Sequence, residues 1–71
     1  MPQLGESIAE ATIVRILKSM GTCPKEDLLR LVVHELSPRF EMPMRVVFRR
    51  VQLLIEKEYI RETSDAWHYI P

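Results

Sequence analysis

Seventy-one residues make one small domain or a piece of a larger chain, because a chain of this length buries only about 60% of its unfolded surface and cannot house two cores. An apolar fraction of 46% and a charged fraction of 28% belong to a globular domain and exclude a disordered tail. Ten Lys and Arg balance ten Asp and Glu, and that neutrality argues against a nucleic-acid module, which usually carries a basic excess.

The prolines and glycines leave three long segments, and each reads as a helix. The first is predicted over 7–20. Ser7 stands as N-cap with Glu10 three residues on, the spacing of a capping box. Ala9, Ile13, Ile16, Leu17 and Met20 fall on one stripe, and Gly21 supplies the stop. Lys18 lies roughly 160° from the centre of that stripe, so its ammonium is expected in water.

A second helix is predicted over 24–36, capped by Thr22 or Cys23. Pro24 is cheap in a first turn, and Glu26 and Asp27 suit the positive end of the dipole. Leu28, Leu29, Leu31, Val32 and Leu36 form a broad apolar face, and Pro38 prevents continuation. Phe40 and Met42 are expected to pack back onto the core. The third helix, over 44–59, has the cleanest period: Val47, Phe48, Val51, Leu54 and Ile55 share one face. Arg45, Arg49, Gln52 and Glu56 face outward.

From 60 to 70 the pattern changes to two short β-rich runs around Thr63-Ser64-Asp65-Ala66, a hairpin anchored on the helices by Trp67 and Tyr69. Three helices and a C-terminal β-hairpin make an α+β fold, a monomeric winged helix spanning 1–71. Its expected core is Ile13, Ile16, Leu17, Leu28, Val32, Leu36, Phe48, Val51, Leu54, Ile55 and Trp67. Truncating Phe48 to alanine is then expected to cost about 3–5 kcal/mol.

Cys23, the one cysteine, forbids an intrachain disulfide and points to a reducing setting, cytoplasmic or also nuclear. Apolar runs such as Leu31-Val32-Val33 and Leu53-Leu54-Ile55 fall far short of the roughly 18 residues that span a bilayer, and the N-terminus does not read as a signal peptide. Neither a membrane nor a cofactor is expected. Cys23, His34 and His68 show no metal-ligand spacing, so no metal site is expected. Cys23 lacks a positioned base and reads as a small turn residue. Glu56, Glu58 and Glu62, interleaved with Lys57 and Arg61, make a solvated face and not an acid/base pair. An enzyme is not expected.

Residues 42–51 carry Arg45, Arg49 and Arg50 with no acid. In a DNA-binding winged helix such arginines at the start of the third helix read bases or grip phosphates. They equally suit a protein partner, and the wing, with Arg61 among acids, offers little to DNA. The pattern weighs toward protein contact, with DNA binding the alternative.

Three blocks carry a resemblance. Ile13-Val14-Arg15-Ile16-Leu17-Lys18 resembles the Ile-Val-Arg-Ile-Met-Lys motif of cullins, the scaffold subunits of RING-type ubiquitin ligases. Leu53-Leu54-Ile55-Glu56-Lys57-Glu58-Tyr59-Ile60 is similar to the run containing Ile-Glu-Lys-Glu-Tyr-Leu that ends the third helix in that family. Ser37-Pro38-Arg39-Phe40 is similar to its Ser-Arg-Phe segment. The resemblance covers about 10–70 in family order and spacing.

It implies a C-terminal winged-helix domain whose motif lysine, here Lys18, accepts the ubiquitin-like protein NEDD8 through an isopeptide bond. The implied partners are NEDD8, a NEDD8-conjugating enzyme and a RING-box subunit, which supply the chemistry. Two features depart from the family: Ser19-Met20-Gly21 replaces a basic Met-Arg-Lys run, and the hairpin turn is short. They suggest an atypical, large cullin. A docking module never modified at Lys18 is the remaining alternative.

Overall fold

The computed structural model describes residues 4–37 and 39–71; Pro2 and Pro38, two of the expected breakpoints, lie outside them. In chain order the elements are α1 (Leu4–Met20), β1 (Thr22–Pro24), α2 (Lys25–Leu36), α3 (Met44–Glu56), β2 (Ile60–Glu62) and β3 (Ala66–Tyr69). The strands form one antiparallel sheet in the order β1-β3-β2. The three helices pack on one another and on this sheet, giving the α+β winged helix.

The structure corrects three features of the sequence reading. Helix α1 begins at Leu4, so Ser7 lies inside it and is not its cap. Gly5 does not delay the start, since a single glycine costs only about 1 kcal/mol in a helix. Thr22 and Cys23 do not cap α2 through their side chains; Pro24 takes the N-cap position with no side-chain cap bond. Instead Thr22–Pro24 is a third strand, with Thr22 opposite His68 and Cys23 opposite Trp67. Cys23 is therefore a core residue at 0% exposure and not a turn residue. Burial, with the nearby Asp27 carboxylate adding, pushes its thiol up from the ordinary cysteine value, which keeps it protonated and unreactive.

The third correction is the end of α3, at Glu56 and not at Tyr59. Glu58 takes a left-handed conformation, φ 66°. The Glu58 N–H donates to the Ile55 carbonyl at 3.0 Å and the Tyr59 N–H to the Leu54 carbonyl at 3.0 Å. That pair is the Schellman arrangement, in which glycine normally fills the left-handed position. A side chain there is strained by roughly 1 kcal/mol. Glu58→Gly is accordingly expected to raise stability by about 1 kcal/mol, read as a higher denaturant midpoint at unchanged slope. A lower midpoint would contradict the turn geometry. Gly21 makes the matching turn after α1, at φ 78°, its N–H donating to the Leu17 carbonyl at 2.7 Å.

The core holds Ala9, Ile13, Ile16, Leu17, Cys23, Leu28, Val32, Leu36, Val47, Val51, Leu54, Ile60 and Trp67. Nine of the eleven residues assigned from sequence are there. Phe48 and Ile55 are half-buried and pack against it from the edge, because helical period fixes only the direction of a side chain and not how completely its neighbours cover it. Phe48→Ala therefore costs less than a fully buried phenylalanine would. Met20, expected on the apolar stripe, is 50% exposed at the last position of α1, and Leu31 is 40% exposed beside the buried Leu28–Val32–Leu36 row.

Candidate functional site

The six-residue block at the end of α1 divides by helical period. Ile13, Ile16 and Leu17 are buried; Val14 is half-buried; Arg15 and Lys18 are exposed. The inward residues clamp the helix to the core, so the outward ones hold a fixed place on a rigid element. Lys18 sits in the last turn of α1, where a cation meets the negative end of the helix dipole favourably.

Beside Lys18 runs an open groove of about 550 Å³, lined by Ser7, Glu10, Ala11, Val14, Arg15, Lys18, Leu54 and Tyr59. Its floor is apolar and its rim charged. Tyr59, 55% exposed, forms part of the wall. Sequence periodicity missed Tyr59 here, since it lies beyond α3 and reaches the groove only through the left-handed turn at Glu58. On the rim, Glu10 accepts from Arg50 of α3 at 3.0 Å, and Arg15 is paired with Glu35 of α2. Arg15, one turn before Lys18, is thus neutralised across the α1–α2 contact.

Three lysines are available, and the structure separates them. Lys25 is committed: its Nζ donates to Glu62 at 2.9 Å and lies 5.7 Å from the centre of the Trp67 ring. Lys57 is exposed at the C-cap of α3 and does not line the groove. Among the described residues Lys18 enters no hydrogen bond or ion pair.

The Lys25–Glu62 pair has a pH signature. The hydrogen bond from Lys25 holds the Glu62 carboxyl below the ordinary glutamate value, desolvation opposes this, and the Lys25 charge and the Trp67 N–H, 3.4 Å away, add to the lowering. A group with a depressed folded value stabilises above its unfolded pKa, about 4.3 for glutamate, and loses that contribution as pH falls through the folded value. The melting temperature of Glu62→Gln is therefore expected to lie below the parent's at pH 7 and to converge with it in acid, as the pH falls below the unfolded glutamate value of about 4.3 and on through the lowered folded value. A constant gap across that range would exclude the pair as its cause.

The arginine trio of α3 is split. Arg45 and Arg49 are exposed, but Arg50 is bound to Glu10 and largely buried, with side-chain exposure of 19%. A duplex-gripping face would thus lose one of its three cations. No group of three metal-ligating side chains gathers among the described residues. His34 is exposed, Cys23 is buried, and His68 lies between two hydroxyls, Thr22 Oγ1 at Nδ1 and Thr63 Oγ1 at Nε2, each at 2.9 Å. Among the described residues no helix is long and apolar enough to cross a membrane.

Three helices with a small antiparallel sheet, and a lysine displayed at the end of the first helix, define a winged-helix domain. A sequence profile of the cullin protein neddylation domain matches residues 6–66. The chain is 37% identical over 57 residues to Cullin-3 of Schizosaccharomyces pombe, a stretch covering 80% of this chain and 7% of that protein. It is 34% identical over 68 residues to Cullin-1 of Caenorhabditis elegans, covering 92% of this chain and 9% of that one. In structure it is similar to the winged-helix domain of Cdc53 in Dcn1(P)–Cdc53(WHB), from work on a dual E3 mechanism for Rub1 ligation to Cdc53. There the TM-score is 0.89 at 26% identity, over 94% of this chain and 80% of that one. The chain belongs to the cullin neddylation-domain family. It spans less than a tenth of the length of these curated relatives.

Proposed function

We propose that this chain is the NEDD8-acceptor domain of a cullin-type ubiquitin ligase scaffold, and that the Lys18 amine is the acceptor. The carrying observation is that Lys18 alone combines the motif position, an exposed place on a core-clamped helix and an ammonium with no partner among the described residues, while Lys25 is held by Glu62. The reaction needs only an amine from this domain. A NEDD8-conjugating enzyme brings NEDD8 as a thioester; the deprotonated Lys18 Nζ attacks the thioester carbonyl, the N–C bond forms and the C–S bond breaks. The thiolate leaves, and the nitrogen gives its remaining extra proton to solvent or to a base on the enzyme. The rate gain comes from positioning, where effective molarity contributes several kcal/mol.

On this reading the domain is non-catalytic, with the conjugating enzyme and a RING-box subunit as partners supplying orientation. A ligase partner of the kind seen in the Dcn1–Cdc53 pairing is consistent with it. DNA binding is disfavoured by the Glu10–Arg50 pair and by the acids of the wing. A docking module that is never modified differs only at Lys18. Reconstituted conjugation on the parent scaffold, followed by peptide mapping of the linkage, decides between them: a branched peptide at Lys18 supports the assignment, and a linkage confined to Lys25 or Lys57 overturns it.

A further inference from the structure

We propose that the first half of α3, with the recess beside it, docks an acidic protein segment carrying one apolar anchor residue. This surface is distinct from the groove beside Lys18 and does not depend on modification there. Arg45 and Arg49 stand one turn apart, about 5–6 Å between their Cβ atoms, on the exposed side of α3. Among the described residues neither enters a hydrogen bond or ion pair, in contrast to Arg15, Arg30 and Arg50, which are each matched to a glutamate. The first turn of α3 contains no acidic residue to neutralise them. Arg39, in the connection before α3, is likewise exposed and without a partner among the described residues.

At the N-terminal end of α3, where Pro43 caps the helix two residues ahead of Arg45, opens a recess of about 330 Å³, walled by Val33, Phe40, Met42 and Pro43, with Ser37 and Glu41 the polar members of its lining. The two features select one occupant. Glu41 repels a purely anionic ligand from the recess, so the recess takes an apolar side chain. Carboxylates flanking that side chain then meet Arg45 and Arg49, whose planar guanidiniums suit bidentate carboxylate recognition. Arg-cluster capture of acidic motifs is a recurring mode of peptide recognition. A duplex is a poorer fit. Lying along α3 it would run over the wing, where Glu62 and Asp65 stand exposed beside Arg61.

The test is fluorescence anisotropy on the 71-residue chain with a labelled peptide of Glu and Asp around one central leucine, at low salt. Binding is expected to weaken at least about tenfold in the Arg45→Gln/Arg49→Gln variant, since each lost charge-assisted bond removes an interaction of that order. Exchanging the probe's leucine for serine is expected to weaken it several-fold, whereas Arg61→Gln and Lys18→Arg leave it unchanged. Because Arg45 and Arg49 are exposed, circular dichroism of the double variant is expected to match the parent. No anisotropy change with the parent chain, equal binding by the double variant, or tighter binding of a duplex DNA probe would each overturn the proposal.

Discussion

Replacing Trp67 with alanine is expected to remove about 3–5 kcal/mol of folding stability, enough to leave a domain of this size largely unfolded at physiological temperature. Trp67 has 0% exposure and is the largest fully buried side chain. It stands in the central strand, opposite Cys23 of β1 and Glu62 of β2, and its ring meets Phe48 of α3 at 5.8 Å between centroids. Lys25 of α2 covers the ring from another side. One side chain therefore joins sheet and helices, and removing its ring leaves a cavity where they meet. At about 4–8 °C per kcal/mol for a domain of 60–100 residues, the melting temperature falls by well over 10 °C. The half-buried Phe48 makes the internal comparison, because Phe48→Ala removes a smaller aromatic ring from the edge and is expected to cost less. If Trp67→Ala melted within a few degrees of the parent, or Phe48→Ala proved the more damaging, the central role of Trp67 would be lost.

That contrast shows what was legible in the sequence. Helical period placed Ile13, Leu17, Leu28, Val32, Val51 and Leu54 inside because 3.6-residue spacing is a direct consequence of burying one face. The same rule overfilled the edge of α3. Period gives the direction of a side chain, but how completely Phe48 and Ile55 are covered depends on what packs over α3 from elsewhere in the chain, a non-local matter. Strand β1 was invisible for a related reason. Thr22-Cys23-Pro24 is too short to alternate, and only the long-range pairing with Ala66–His68 makes it a strand. Glu58 hid the end of α3 because the chain tolerates strain at a position that usually announces itself as glycine. At the candidate site, period alone placed Lys18 in solvent, whereas the commitment of Lys25 to Glu62, 37 positions away, could not be read from either residue's neighbours.

Lys18→Arg is expected to abolish conjugation of NEDD8 to this domain, a fall of at least about 100-fold, since positioning of one amine supplies most of the rate gain. The substitution is chosen for what it keeps. Arginine preserves the positive charge at the C-terminal end of α1 and its interaction with the dipole, and Lys18 is exposed and not part of the buried core. The folded state is thus unchanged, and equal melting temperatures for parent and variant provide the check. Only the nucleophilic amine is lost, because a guanidinium stays protonated in proteins. Lys25→Arg and Lys57→Arg serve as the matched controls. Lys25 is tied between Glu62 and the Trp67 ring, so freeing its amine means breaking the α2–β2 bridge. Lys57 has no such tie, and it is the more stringent competitor. It stands at the C-cap of α3 and is not among the residues lining the groove that Lys18 borders. Both controls are expected to conjugate at the parent's rate. Full conjugation in Lys18→Arg, or loss of conjugation in Lys57→Arg alone, would move the acceptor to the other helix end and with it the whole reading of the α1 groove.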